Sequence, residues 1–348
     1  MPNNFLIYGA NGYTGELITR YAVERGMKPI VAGRNAIKIE ELAKKHHLEY
    51  RVFSLDETDR VDAALQEVDM VLHCAGPFSI TSRPMVEACF RNKKHYTDIT
   101  GEIAVFEACA RLDEKAKDAG IMVMPGVGFD VVPSDCLARH LKDRLPSATH
   151  LSLAFYGMGR ISHGTQATMT MNIGKGGAIR KDGKITPVPA AWKTREIDFG
   201  EVTKTGVTIP WGDVATAYYS TGIPNIEVFT VMPRQNLKML KASRYLGWLL
   251  ATGPVQNYLQ KQIPPGGPSD EERAKGKTLM WGEATDLNGN RVESRMHGPE
   301  GYTMTALTAL NIAQKILDGN FEVGFQTPAK AYGADLVLEI DGVERQDV

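Results

Sequence analysis

The chain has 348 residues, enough for about two domains of roughly 150 residues each. Its 40 Lys and Arg nearly balance 41 Asp and Glu, which excludes a global field built for nucleic acid and points to a small-molecule partner. Cys74, Cys89, Cys109 and Cys136 are dispersed without a C-x-x-C pair, so neither a disulfide framework nor a zinc knuckle is indicated, which suits a reducing cytoplasm.

Phe5-Leu6-Ile7-Tyr8 is an apolar tetrapeptide too short for a helix. Gly9-Ala10-Asn11-Gly12-Tyr13-Thr14-Gly15 follows it, and then an apolar-periodic run from Leu17 to Val23. Strand, glycine-spaced turn and helix describe the first β-turn-α of a dinucleotide-binding fold. There Gly9 reverses the chain, Gly12 admits a pyrophosphate against the backbone, and Gly15 lets the helix pack close. The diphosphate rests on the N–H groups of the helix N-terminus. The spacing is G-x-x-G-x-x-G, so the commonest fingerprint is met only approximately. The second strand, Pro29 to Ala32, ends at Gly33-Arg34-Asn35, where an NAD-specific domain places a carboxylate. Arg34 offers instead a charged fork suited to a 2′-phosphate, with Asn35 as a neutral donor beside it, so the expected cofactor is NADP(H). The competing account of Arg34 is a solvated loop cation.

Alternation continues through a helical pattern from Ile37 to Lys45, a strand from Tyr50 to Ser54, a helix from Thr58 and an apolar strand from Met70 to Cys74. A helix from Arg83 to Arg91, a strand His95 to Thr97, a helix Ile103 to Lys117 and a strand Ile121 to Met124 complete it. This predicts an α/β fold with a Rossmann-type doubly wound parallel sheet over residues 1–130. Beyond it come a strand at 149–158, a Gly-, Met- and Thr-rich helix or loop from Gln166 to Ile179, and short strands at 182–233 split by Pro and Gly. A hairpin pairs Thr278 to Asp286 with Arg291 to Met296 around Asn288-Gly289. Residues 131–299 are thus expected to form an α+β substrate domain on an antiparallel sheet, in which Ser269 and Glu272 make a capping box. The strongly periodic helix from Tyr302 to Leu317 opens a third piece, 300–348, expected to pack back on the first domain. The stretch 237–263, with Lys238, Lys241, Arg244, Trp248, Leu249 and Leu250, is basic and amphipathic. A lid or dimer contact is favoured for it over a membrane contact, and a homodimer is the expected assembly. The first strand begins so early that no signal peptide is expected, and no apolar run reaches the length of a membrane span.

Ligands of such sheets lie beyond the carboxyl ends of the strands. Cys74-Ala75-Gly76-Pro77-Phe78 would let the ribose and nicotinamide approach the backbone, unless it is an ordinary Gly-Pro turn. Tyr96-Thr97-Asp98-Ile99-Thr100-Gly101-Glu102 gathers a phenol, hydroxyls and carboxylates suited to proton transfer, or to capping the next helix. In Pro125 to Asp135, Gly126, Gly128, Phe129 and Asp130 are candidates to orient the carboxamide, with Ser134 or Asp135 as a helix cap. Tyr96, Asp98 and His163 are the candidate catalytic residues, with Tyr302 a further donor. A Tyr-x-x-x-Lys pair is absent, and no cluster has metal-ligand spacing.

The motifs G-A-N-G-Y-T-G, A-G-R, C-A-G-P-F, Y-x-D-x-T-G-E, P-G-x-G-F-D-x-x-P-S-D, G-P-S-x-E-x-R-A-x-G and P-E-G-Y-T occur in this order between residue 5 and about 333. In this the chain resembles the saccharopine dehydrogenase-like oxidoreductases, and more closely their trans-acting enoyl reductase branch. The resemblance implies an NADP-binding Rossmann domain followed by a substrate domain. It also implies hydride transfer to an enoyl C=C of an apolar, lipid-like or thioester-bound substrate. An amino-acid-derived imine, for which the cleft would need paired Arg or Lys, and a non-catalytic NADP-binding sensor remain as alternatives. Met169, Met171, Phe155 and Phe229 are the side chains that would line a cleft for the apolar substrate.

Overall fold

The computed structural model describes residues 4–158, 160–172, 176–233, 235–241, 252–263 and 266–348. It divides into two compact units, 1–132 with 302–331 and 133–301 with 332–348.

The first unit is built on seven parallel strands in the order β15-β6-β5-β4-β1-β2-β3. Strands β1 (Phe5–Tyr8), β2 (Ile30–Gly33) and β3 (Tyr50–Val52) form one half, and β4 (Met70–His73), β5 (His95–Asp98) and β6 (Met122–Met124) the other. Strand β15 (Gly324–Phe325) is added beside β6, in register Phe325 to Val123. Every residue of β1, β2 and β4 is buried, as expected of parallel strands covered on both faces. Each large apolar side chain so buried contributes about 1.5–3 kcal/mol. Helix α1 (Tyr13–Glu24) turns Leu17, Ile18 and Ala22 inward. β1 lies between β2 and β4, so the strand order reverses there and the ligand crevice is set at its C-terminal end.

Three elements depart from the sequence expectation. Helix α4 (Phe78–Asn92) starts five residues before Arg83 and runs through Pro84. The expected helix from Ile103 to Lys117 is two helices, α5 (Ile103–Ala110) and α6 (Asp113–Ala119). Within the last piece, only residues 302–331 group with the first unit. Residues 332–348 group with the second, because β16 (Glu344–Asp347) pairs with β14 (Arg291–Pro299), Ser294 opposite Asp347.

Among the described residues the second unit holds a nine-stranded sheet whose path is β10 (Thr194–Asp198), β11 (Thr203–Thr208), β12, β7, β13, β14 and β16, with β8 (Gly177–Lys181) and β9 (Lys184–Val188) attached through β12. It is mixed rather than antiparallel, because β12 (Asn225–Val231) runs parallel to β7 (His150–Met158). Strand β13 (Lys277–Thr285) joins β7 to β14, and the turn after it is tied by Asp286, which accepts from the amides of Asn288 and Asn290 at 2.9 Å each. Helix α7 (Val132–Arg144) lies against β13 at Gly282, where an added Cβ would meet Leu141 at 2.6 Å. An apolar cluster joins Ala154, Ile197, Phe199, Phe229, Leu279 and Trp281. Phe229 is thus a core residue rather than cleft lining.

Part of the stretch read as short strands is a helix, Asp213–Thr221, almost wholly buried. Ser134 Oγ donates to Asp213 at 2.9 Å and Ser220 Oγ donates to Asp135, so the residues expected as caps of α7 stitch it to this helix. The capping box of Ser269 and Glu272 is present in both directions. A helix at His163–Asn172 occupies part of the expected Gln166 to Ile179 element, and Ile173 to Lys175 lie outside the described residues. So do Arg244, Trp248, Leu249 and Leu250 of the basic stretch. Among the described residues, no helix is long and apolar enough to cross a membrane.

Candidate cofactor and active site

The turn after β1 is shaped by contacts that leave no room for side chains. Gly9 has φ +83°, and a Cβ there would lie 2.7 Å from the Ala75 backbone nitrogen. A Cβ on Gly15 would lie 2.3 Å from Gly9 O. These two glycines therefore let the β1 and β4 loops touch and helix α1 close on its strand. Gly12 differs: it is exposed, and a Cβ there meets only Gly9 O, at 3.3 Å. It is also the N-cap of α1, where no side chain caps the helix. A first turn without a side-chain cap, at the positive end of the helix dipole, is the cradle an anionic diphosphate requires. Asn11, Tyr13 and Thr14 are partly exposed around it, whereas Ala10 is buried and its amide bonds to Ala32 O at 3.1 Å. Ala10 shapes the turn rather than facing a ligand. Tyr302 is placed here too, edge-on to Tyr13 with ring centroids 5.1 Å apart.

Gly33, at the end of β2, also shapes this turn, though nothing in its local sequence marks it as doing so. A Cβ on it would lie 2.7 Å from Asn11 Oδ1, so its bareness lets the phosphate turn seat against β2. Arg34 next to it is exposed, and among the described residues no carboxylate lies within ion-pair distance of its guanidinium. Asn35 is exposed as well, but its Oδ1 accepts from Lys38 N at 3.1 Å as the N-cap of α2 (Ala36–His46), leaving only its NH2 to a ligand. An exposed cation with no ion pair, where NAD-binding domains place a carboxylate, fits a 2′-phosphate.

The loops after β4, β5 and β6 are bound to one another. Cys74, Ala75, Pro77 and Phe78 are partly exposed and Gly76 is exposed. Glu102 accepts from the Phe78 amide at 2.8 Å and the Ser79 amide at 3.1 Å, so its carboxylate caps α4 from a different loop. No local pattern signals this cap, because its partners are 24 and 23 residues away. His73 is buried, its Nε2 is 3.0 Å from Thr81 Oγ1, and burial pushes its pKa down to about 3. It is a neutral core histidine.

Tyr96 and Asp98, expected as catalytic, are fully buried. The Tyr96 hydroxyl donates to Asp98 Oδ2 at 2.7 Å, while Asp98 Oδ1 accepts from the amides of Thr100 at 3.0 Å and Gly126 at 2.9 Å. Burial raises the Asp98 pKa to about 6, against the pull of these donors, and raises the Tyr96 phenol well above its usual value. Closed off from solvent and saturated with partners, the pair fixes the β5 and β6 loops and does not meet a reactant. The expectations for Gly126 and Gly128 change in the same way. Gly126 has φ +76° and a Cβ there would collide with Phe106 at 2.6 Å; a Cβ on Gly128 would meet Thr305 at 2.8 Å. Both glycines are buried and serve internal packing. The Phe129 amide bonds to Thr305 Oγ1 at 3.0 Å, and Phe129 and Asp130 are the partly exposed residues of this loop.

His163 lies in the other unit, exposed on the first turn of its helix, with its amide on Gly266 O at 2.8 Å. It does not join Tyr96 and Asp98 in one unit. Among the described residues no His, Cys, Asp and Glu group could hold a metal ion.

Residues 5–124 match the family described as the saccharopine dehydrogenase NADP binding domain. A human protein named saccharopine dehydrogenase-like oxidoreductase is 26% identical over 154 residues, 38% of this chain and 36% of that one. A Mycobacterium ulcerans protein named trans-acting enoyl reductase is 28% identical over 178 residues, 47% of this chain and 43% of that one. The matched regions span about half or less of these curated relatives' lengths. The apo structure of saccharopine dehydrogenase (L-Glu forming) from Saccharomyces cerevisiae shares the fold, with a TM-score of 0.71, 13% identity and 99% of each chain covered. Residues 5–124 thus match a saccharopine dehydrogenase NADP binding domain, and the chain is similar to proteins named saccharopine dehydrogenase-like oxidoreductase.

Proposed function

We propose that the chain is an NADP(H)-dependent reductase acting on the C=C bond of an enoyl group in an apolar or lipid-like, thioester-bound substrate. The observation that carries the cofactor half is the unpaired Arg34 beside a glycine turn that leads into a helix without a side-chain cap. When bound, reduced nicotinamide supplies a hydride. The protein's part is positional: the α1 N-terminus and Arg34 hold the two phosphate groups, and the Asp98 carboxylate keeps the β5 and β6 loops in one arrangement. The substrate half is supported by the similarity to a protein named trans-acting enoyl reductase. It is also supported by three arginines of the second unit. Arg195 makes a fork to Glu283 at 2.7 Å twice, Arg295 pairs with Asp198 at 2.8 Å, and Arg180 donates to two carbonyls. These cations are spent on internal partners, whereas an amino-acid imine needs cations for its carboxylates. The test is NADPH oxidation with an enoyl thioester series beside amine and keto-acid pairs that form imines. Oxidation with the thioesters alone is expected; oxidation with the imine pairs alone overturns the substrate class.

A further inference from the structure

We infer that Asp130 is the side chain that delivers the proton in the reduction proposed above, on which this inference rests. Its position carries the argument. A dinucleotide that places its 2′-phosphate at Arg34, beyond β2, extends its nicotinamide half over β4, β5 and β6. Asp130 stands in the loop after β6, on that half, and the residue is partly exposed. Its carboxyl is pressed against bare Gly101, where an added Cβ would lie 2.4 Å from Oδ2. The loops on both sides are fixed through Asp98, so the carboxyl is held by a rigid frame.

What the frame withholds is equally informative. Among the described residues no hydrogen bond or ion pair reaches the Asp130 carboxyl. The charged groups on the neighbouring loop are committed elsewhere, Asp98 to the Thr100 and Gly126 amides and Glu102 to the amides of α4. No cation offsets the loss of water, and burial alone pushes the Asp130 pKa up to about 7. A carboxyl kept from donors is a carboxylic acid near neutrality, with a proton to give. As hydride adds to one atom of the substrate double bond, the displaced electron pair moves to its neighbour. That neighbour takes the Asp130 proton: the O–H bond breaks, a C–H bond forms, and the carboxylate is reprotonated by water. NADPH is oxidised and the substrate reduced, with no further reactant.

The test has two arms. Infrared difference titration of the protein without cofactor, wild type against Asp130→Asn, should show a protonated-carboxyl band lost within about one unit of pH 7, present only in the wild type. NADPH oxidation with the best thioester should fall about 100-fold or more in Asp130→Asn and recover in part in Asp130→Glu, with both variants unfolding cooperatively. Turnover by Asp130→Asn within about threefold of wild type, or a midpoint below about pH 5, overturns the assignment. Failure of the wild type to oxidise NADPH with any acceptor brings down the reductase reading and this role with it. Wild-type turnover that survives the substitution leaves the reading standing and removes only Asp130.

Discussion

Two glycine-rich turns stand at the same edge of the parallel sheet and use their glycines for opposite ends. After β1, Gly9 and Gly15 are required by the backbone around them, but Gly12 meets only one atom at 3.3 Å and opens a helix end to solvent. After β6, Gly126 and Gly128 are filled by Phe106 and Thr305, and the Gly126 amide is taken by Asp98. A glycine in sequence reports that a Cβ is unwelcome. Only the neighbours show whether the protein or a ligand takes its place.

The largest effect should come from Gly9→Ala, which combines a positive φ with a backbone clash against Ala75. A loss of about 2–4 kcal/mol by urea denaturation is expected, together with loss of NADPH binding. Asp98→Ala, which strands the Gly126 and Thr100 amides and the Tyr96 hydroxyl, should cost about 3 kcal/mol in the same measurement. The contrast between the two turns is sharpest in a pair of variants. Gly126→Ala should destabilise by about 1–3 kcal/mol while the protein that remains folded keeps its NADPH affinity. Gly12→Ala should change stability by less than about 1 kcal/mol and still weaken NADPH binding. If both variants lose the same property, the two turns are alike and the comparison fails.

A pH dependence, spread over several pH units, tests the same loops in another way. A carboxyl whose folded pKa is raised binds its proton more tightly in the native state, so its contribution is present at low pH and lost as pH rises to the folded value. For Asp130 that window runs from about pH 4, the ordinary carboxyl value, to about 7. Thermal melts of Asp130→Asn should therefore decline less than those of the wild type between pH 5 and pH 8. His73 acts in the opposite sense: its folded pKa is lowered to about 3, so stability is lost as pH falls below about 6.5.

The strands and helices of the first unit were legible because buried parallel strands and one-sided helices have distinct periods, as in Phe5–Tyr8 followed by the α1 stripe of Leu17, Ile18 and Ala22. Arg34 was legible from its place after β2. The helix Asp213–Thr221 was not, because burial of Val214, Ala215, Thr216, Ala217 and Ser220 erases the polar face that marks a helix, and its Thr and Tyr residues favour strands. Two-residue β15 is too short to carry a pattern. The polar density of Tyr96 to Glu102 reads equally as a reaction centre or as a brace. Only burial and partners separate these, and they identify the brace. Asp130 is the reverse case: singled out in sequence only to orient the carboxamide, it is distinguished in the structure by the donors its carboxyl lacks.

Cofactor choice turns on a 2′-phosphate held by Arg34. The most direct measurement is a fluorescence titration of wild type and Arg34→Ala with NADPH and NADH. Wild type is expected to prefer NADPH, and Arg34→Ala to lose about 30- to 100-fold in NADPH affinity, the worth of a charge-assisted pair of about 2–3 kcal/mol, with NADH binding unchanged. Equal binding of the two cofactors by both proteins, or no binding by folded wild type, would contradict it.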